Sequence, residues 1–147
     1  MRFLTMAWLY FLPIKKARPQ MDPETFFDEM PFTDFFGIEV IEIEDGHAEG
    51  HVNVRRELSW SNEAVRAHGA VAYALADTLG GAALFSKVKQ PVPTIDMRID
   101  YLEAGKGDLR GEADVIRMGD DVGTIESSVY GEDGAHVANG TGVYKIA

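Results

Sequence analysis

The 147-residue chain has no cysteine, and this absence excludes several kinds of chemistry. Without cysteine there is no disulfide framework, no thiol nucleophile and no cysteine-ligated metal. Positive charge is also scarce, because 14 Lys and Arg residues stand against 24 Asp and Glu residues and leave a formal net charge of −10. This acidity argues against binding to nucleic acid and against docking on an anionic membrane. We therefore expect neither kind of partner.

Several catalytic signatures are missing as well. The sequence contains no glycine-rich phosphate loop, no serine-centred elbow and no HExxH motif. His47, Glu49 and His51 share one face of a predicted strand, but a solvated sheet surface explains them more simply than a metal site. We therefore expect no metal and no cofactor.

An apolar run, FLTMAWLYFLPI, occupies residues 3–14 and precedes a basic segment. It is too short for a membrane span, which needs about 20 residues. A signal peptide is the alternative, but a basic cluster follows the run where a small-residue cleavage site would be required. We interpret residues 1–20 as an N-terminal extension of doubtful structure. Residues 21–147 suit one cytoplasmic domain, since domains cluster near about 100–150 residues.

The segment after residue 21 begins with a short predicted helix. Asp22 is a capping residue type, Pro23 suits the first helical position and Glu24 favours the positive helix end. The helix is expected to end near Met30. Its predicted buried side consists of Phe26, Phe27 and Met30.

Six later stretches have the composition of strands and are separated by turns rich in Gly and Asp. They are residues 38–43, 47–55, 95–101, 109–117, 122–130 and 135–146. A long helix is predicted between the second and third strands, over His68–Ser86. Consecutive hairpins make the sheet largely antiparallel. The sequence therefore predicts an α+β fold in which about five to six strands pack on one long helix.

The long helix is apolar nearly all round and carries a single charge in its middle, Asp77. Such a helix is buried on all sides, either by a sheet that wraps it or by a partner chain. A buried carboxylate is costly unless it is paired or hydrogen-bonded. Asp77 is therefore either hydrogen-bonded to a serine or threonine of the sheet, or held in an apolar cleft as a general base or nucleophile.

Three glycines accompany this carboxylate. Gly80 and Gly81 each weaken a helix interior by about 1 kcal/mol, which suggests close approach of another helix or a ligand. Gly69 lies at the helix start, where a free N–H can bind a developing oxyanion. Eight residues of helix separate Gly69 from Asp77 by ~12 Å, too far for one substrate atom. Either they serve different sites, or antiparallel helices of two subunits form two identical composite sites.

The segment Asn62–Asp77, NEAVRAHGAVAYALAD, resembles the central-helix signature of PaaI-like hotdog-fold acyl-CoA thioesterases of the 4HBT superfamily. In that family an Asn precedes His-Gly-Gly by six residues, and an Asp follows the His by nine. Asn62, His68, Gly69 and Asp77 keep this spacing. The resemblance extends from about Asp22 to Ile146. It departs at Ala70, where a second Gly is usual, and at Glu103-Ala104, where a Pro-containing turn is frequent.

The resemblance implies a hotdog fold and hydrolysis of acyl-CoA to free acid and CoA. It also implies a homodimer or a dimer of dimers, with active sites at the subunit interface. Gly69 N–H would polarise the thioester carbonyl, and the partner's Asp77 would activate water or attack directly. Asn62 would orient the water or the thioester, and His68 would either shape the helix start or exchange protons. The neighbours expected to contact substrate are Ala70, Thr78, Gly80 and Gly81.

Binding of polyanionic CoA to an acidic protein requires a local cluster of cations. The candidates, which an ordinary solvated surface would also explain, are Lys87, Lys89, Arg98, Lys106 and Arg110.

Two other functions remain open. The first is a non-catalytic acyl-CoA-binding module, against which the buried Asp77 argues. The second is an acyl-thioester hydratase or dehydratase on the same fold, whose His-containing motif is absent from this sequence.

Overall fold

A computed structural model describes residues 20–147. The predicted extension over residues 1–20 thus lies outside the described residues, apart from Gln20. The α-helices of this part of the chain are α1 (Pro23–Asp28), α2 (Pro31–Phe36) and α3 (Gly69–Val88). Its strands are β1 (Ile38–Glu44), β2 (His47–Val52), β3 (Thr94–Tyr101), β4 (Leu109–Met118), β5 (Val122–Gly131) and β6 (His136–Lys145).

The predicted N-terminal helix is formed, but a second short helix that was not predicted follows it. The Asp22 side chain caps α1 by accepting a hydrogen bond from the Thr25 N–H at 2.9 Å, as predicted. However, α1 ends at Asp28, and α2 begins at Pro31. A residue before proline is driven out of the helical region, and Met30 accordingly has φ −69° and ψ 123°.

The second strand is shorter than predicted. It ends at Val52 and not at Arg55, although its alternation is confirmed, since Ala48, Gly50 and Val52 are all buried. The Val54 N–H donates a hydrogen bond to Asp108 Oδ1 at 2.8 Å instead of to a neighbouring strand, so the strand does not continue through this residue. A short 3₁₀ turn over Arg56–Leu58 follows.

The strands form one antiparallel sheet in the order β1-β2-β4-β5-β6-β3, and α3 packs on one face of it. Gly50 and Gly111 pair across β2 and β4 directly under Leu79. A Cβ at either glycine would lie within 2.9 Å of a Leu79 methyl group, so these glycines let the helix approach the sheet closely. This long helix wrapped by an antiparallel sheet confirms the predicted architecture. Although α3 is long and apolar enough to cross a membrane, 67% of its apolar window is buried within the fold.

One side of α3 is left uncovered by residues 20–147. Ala70 and Tyr73 are exposed and Asp77 is half-buried, and these positions form a stripe along one helix face. The adjacent strand β3 lies at the edge of the sheet and, among the described strands, is paired only with β6. Its Ile95 and Tyr101 side chains are 58% and 53% exposed. The sheet therefore buries α3 except along the side next to β3.

The face of β2 considered above for metal ligands carries ion pairs. His47 Nδ1 lies 2.7 Å from Asp114 Oδ1, and Nε2 lies 3.2 Å from Glu49 Oε1. The hydrogen bond with Asp114 raises the pKa of His47 above its ordinary value of 6.5, with Glu49 adding to the effect and partial burial opposing it. Within residues 20–147 no group of three such side chains is arranged to hold a metal.

We predict that His47 stabilises the fold only while it is protonated. Because its pKa is higher in the folded chain, its contribution is complete below pH 6.5 and disappears as the pH rises through the folded-state pKa. The free energy of unfolding of wild type minus that of His47→Gln should therefore shrink with rising pH, as measured by urea unfolding. His51→Gln is the matched control, because His51 contacts one carboxylate at 3.5 Å. A difference that stays constant from about pH 5.5 to about pH 9 would contradict the pairing.

Candidate active site

The single charge of the α3 interior, Asp77, is held by hydroxyl groups from two strands. Its Oδ1 accepts hydrogen bonds from Thr94 Oγ1 at 2.8 Å and from Tyr144 Oη at 2.9 Å. Asp77 Oδ2 has no hydrogen-bond partner within residues 20–147. The first interpretation of Asp77 is therefore confirmed, because one oxygen is bound to a threonine of the sheet. The second interpretation, a general base or nucleophile, stays a prediction.

The Tyr144 hydroxyl is a permanent donor in this arrangement. Tyr144 is only 1% exposed, and its Oη also lies 3.0 Å from the Asp77 carbonyl oxygen. Burial raises the pKa of Tyr144 far above its usual range, and the negative charge of Asp77 adds to the effect. The phenol consequently stays protonated and orients the carboxylate at every ordinary pH.

Asp77 lines an apolar cleft of about 750 Å³ between α1, α3 and the segment before β3. Thr78 and Gly81 of α3 line it too. The ring centroid of Phe26 lies 5.2 Å from the centroids of both Phe27 and Phe85, so the cleft has an aromatic wall. Its remaining apolar lining consists of Met21, Met30, Pro31, Phe32, Pro91, Val92 and Pro93.

The start of α3 lies in a different, smaller cavity of about 350 Å³. His68 Nδ1 accepts a hydrogen bond from the Ala70 N–H at 3.0 Å and so caps the helix, which is one of the two roles left open for His68. The Gly69 N–H has no hydrogen-bond partner within residues 20–147, while the Gly69 carbonyl accepts from Tyr101 Oη at 2.9 Å. Trp60 lies at the same cavity. A free N–H at a positive helix end is suited to a developing negative charge.

No residue is shared between the two cavities within the described part of the chain. One copy therefore does not bring Gly69 and Asp77 to a common site, as the ~12 Å separation along the helix predicts. Each end of β3 is tied to one of the two sites, because Thr94 bonds to Asp77 and Tyr101 bonds to Gly69.

Comparison with known proteins relates the whole arrangement to one family. The model of the thioesterase superfamily matches residues 66–138. A candidate esterase of Halobacterium salinarum is 32% identical over 111 residues, which cover 72% of this chain and 74% of that protein.

The chain belongs to the thioesterase superfamily.

Solved structures agree with this family membership. The phenylacetic acid degradation protein PaaI of Thermus thermophilus, solved as a point mutant, is 25% identical with a TM-score of 0.71, over 80% of this chain and 100% of that one. A hypothetical thioesterase of Streptococcus pneumoniae, solved with coenzyme A, is 22% identical with a TM-score of 0.72, over 84% and 95%. This thioesterase-superfamily chain is therefore a PaaI-like hotdog protein, and thioester hydrolysis is supported as its general activity.

Two other predicted site residues of this superfamily member line neither cavity. Asn62 is exposed in the loop before α3, and Ala70 is exposed on the first turn of α3. The backbone of that loop is held by Ser59 Oγ, which accepts from the Arg66 N–H at 2.9 Å. Roles for Asn62 and Ala70 in catalysis or binding stay predictions.

The predicted cations do not form one cluster. Lys87 and Lys89 lie at the far end of α3, and the Lys87 Nζ is paired with Asp45 at 2.7 Å. Arg98 on β3 is paired with Asp100 at 3.1 Å. The two ion pairs reduce the positive charge that Lys87 and Arg98 offer to a polyanion.

Lys106 follows Gly105, which lines the smaller cavity together with Gly69. Its Nζ is 3.9 Å from an Asp133 carboxylate oxygen. The backbones of Arg66 and Lys106 form an isolated antiparallel β-bridge. The Arg66 side chain has no carboxylate partner within the described residues. Arg110 lies on the sheet, with its guanidinium over the Tyr130 ring at 4.9 Å.

The sequence analysis missed the residues that orient Asp77. Thr94 and Tyr144 are 17 and 67 residues away along the chain. Strand alternation indicates which residues are buried, but it does not indicate which side chain of another element they meet. Arg66 was also missed, although it lies only two residues before the His-Gly motif.

We predict that Tyr144→Phe lowers the free energy of unfolding by about 1–3 kcal/mol, because a buried hydrogen bond to a carboxylate is lost at constant ring volume. Tyr101→Phe is the matched control. Its ring is 53% exposed, so removal of its hydroxyl should cost less than about 0.5 kcal/mol. Urea unfolding of both variants measures the difference. Equal losses in the free energy of unfolding would show that the buried Tyr144 hydrogen bond stabilises the fold no more than the exposed Tyr101 hydrogen bond.

Proposed function

We propose that this protein hydrolyses acyl-CoA thioesters to a free acid and CoA, with Asp77 and Gly69 as the reacting groups. The observation that carries the proposal is the divided environment of Asp77. Its Oδ1 is fixed by two hydroxyl donors, while its Oδ2 has no partner in the described chain and the side chain lines an apolar cleft. A fixed carboxylate with one free oxygen is suited to accept a proton from water.

The proposed reaction uses these groups as follows. Asp77 takes a proton from water as the water oxygen bonds to the thioester carbon, and the carbonyl oxygen becomes negative. The Gly69 N–H donates to that oxygen. The C–S bond then breaks, and the leaving thiolate receives the proton. Direct attack by Asp77, with hydrolysis of the resulting anhydride by water, is the alternative course.

The composite site requires two copies of the chain. The uncovered edge strand β3 supports an antiparallel pairing of copies, because it leaves main-chain groups and the Ile95 and Tyr101 side chains unburied. Thr94 marks the Asp77 end of this strand and Tyr101 marks the Gly69 end. Antiparallel pairing through β3 would therefore set Asp77 of one copy beside Gly69 of the other, and two-fold symmetry would form two such sites.

The CoA moiety is proposed to lie on the Gly69 side. Arg66 and Lys106 are the chain neighbours of Ala67 and Gly105, which line the smaller cavity. Neither cation forms a short ion pair within the described residues. The Streptococcus pneumoniae structure was solved with coenzyme A, which supports coenzyme A as a ligand for this fold. The rest of the acidic surface repels CoA, so local cations are needed to bind it.

We predict that Asp77→Asn lowers kcat on an acyl-CoA by about 10² or more, because the amide cannot take the proton. Asn keeps an oxygen for Thr94 and Tyr144, so the fold should be retained. Thiol release from a panel of acyl-CoAs measures the loss. Asp121→Asn, in the exposed turn between β4 and β5, is the matched control and should keep full activity.

Two outcomes would count against this role. Undiminished turnover in Asp77→Asn would remove Asp77 from the mechanism while leaving the thioesterase activity intact. Tight acyl-CoA binding with no turnover in wild type would favour a binding module.

We predict that two inactive variants restore activity when they assemble together. Gly69→Pro removes the N–H at a helix position that suits proline, after a residue with φ −61° and ψ 144°. A co-refolded 1:1 mixture with Asp77→Asn should regain about a quarter of wild-type activity, because half of the dimers are mixed and each has one intact site. Mixing Asp77→Asn with the double variant should restore nothing. If the copies exchange and no activity returns, each site lies within a single chain.

A further inference from the structure

Helix α3 has two consecutive glycines, and the structure explains only the first of them by packing. A Cβ at Gly80 would collide with the Tyr144 hydroxyl and would lie 2.8 Å from two Ile125 carbons. Gly80 is thus required for the approach of α3 to the strands that carry Tyr144 and Ile125. It lines neither cavity, and this packing accounts for the glycine without any ligand.

Gly81 has no such reason to lack a side chain. A Cβ there would meet only Tyr144 Cε1 at 3.8 Å and Phe27 Cζ at 4.0 Å, which are ordinary van der Waals contacts. Its backbone is in the middle of α3 and does not have a positive φ. Glycine weakens a helix interior roughly fourfold to fivefold in the folding equilibrium relative to alanine. The chain therefore keeps a destabilising residue where alanine would fit.

Gly81 lies in the floor of the apolar cleft, between Asp77 and Phe85. The three residues are spaced four apart, so they follow one another along one face of α3. The stripe from Asp77 to Phe85 is about 12 Å long. A side chain at Gly81 would divide the cleft between the carboxylate and its aromatic wall.

We propose that Gly81 is a specificity-determining residue that keeps the cleft open for a bulky, uncharged apolar acyl group. The acyl group, an aryl group or a medium-length alkyl chain, extends from the thioester carbon at Asp77 over Gly81 toward Phe85. This inference rests on the proposed function, because Asp77 defines the end of the cleft at which the thioester reacts.

The cleft lining defines the chemical class of the acyl group. The wall formed by Phe26, Phe27 and Phe85 offers apolar surface and no charge partner. The acidic residues Asp22 and Glu29 also line the cleft and would repel an acyl group that carries a second carboxylate. The volume of about 750 Å³ lies well within the range of roughly 300–1,000 Å³ found for small-molecule sites.

The test compares wild type, Gly81→Ala and Gly81→Leu on acetyl-, octanoyl-, phenylacetyl- and succinyl-CoA. In wild type, kcat/KM should rise roughly fourfold for each methylene that enters the cleft, and succinyl-CoA should be a poor substrate. In Gly81→Leu, the ratio of kcat/KM for octanoyl-CoA to that for acetyl-CoA should fall by roughly 30-fold or more. Phenylacetyl-CoA and octanoyl-CoA distinguish an aryl from an alkyl occupant. Whichever of the two wild type prefers should show the larger loss of kcat/KM in Gly81→Leu.

Melting temperatures of the alanine variants provide the matched control. Gly81→Ala should raise Tm through its helix propensity, whereas Gly80→Ala should lower Tm through its collision with Tyr144 and Ile125. A lowered Tm for Gly81→Ala would overturn the inference, because packing would then explain both glycines. An unchanged substrate ratio in folded Gly81→Leu would overturn it as well, and so would a changed oligomeric state, which would make the cleft a contact between copies.

A binding measurement separates this inference from the proposed function. Octanoyl-CoA should raise the Tm of wild type more than that of Gly81→Leu, whether or not it is hydrolysed. If wild type binds octanoyl-CoA in this Gly81-dependent way and turns over no thioester, the proposed function fails and the acyl site stands. If turnover is found but Gly81→Leu leaves both the substrate ratio and the Tm shift unchanged, the acyl site fails and the thioesterase activity stands.

Discussion

The structure depends on the way in which one carboxylate is accommodated inside an apolar helix. An unpartnered charge in the middle of α3 would oppose folding, because a charge removed from water without a partner is costly. Tyr144 and Thr94 supply hydroxyl donors to one oxygen of Asp77 and leave the other without a partner in the described chain. The same two hydrogen bonds thus stabilise the packed helix and orient the group that the proposed chemistry needs.

The packing of α3 follows from this requirement. The Tyr144 hydroxyl reaches Asp77 only because the helix lies close to the sheet, and Gly80 permits that approach by having no side chain. The next residue, Gly81, borders the cleft. Packing therefore explains the missing side chain at Gly80 but not at Gly81. A comparison of their surroundings distinguishes the two glycines, which the sequence alone does not.

The sequence predicted the parts of this structure that depend on local pattern or on a short motif. The apolar run from residue 70 onward defines α3, and strand alternation locates all six strands within a few residues. The spacing of His68, Gly69 and Asp77 led to the family, which the comparisons confirm. The end of the first helix before Pro31 was predicted to within two residues, but α2 was missed, since its six residues are too few for a clear helical pattern. Thr94 and Tyr144 were missed because their contacts with Asp77 are set by tertiary packing and leave no local signal.

Strand β6 has a consequence for the way in which the site is lost. It carries Tyr144, and it is the only described strand that holds β3, which carries Thr94. Detachment of β6 would remove both donors from Asp77 in a single step. The ordered carboxylate and this edge of the sheet therefore belong to one cooperative unit, and local opening of the edge and loss of the oriented carboxylate are the same equilibrium.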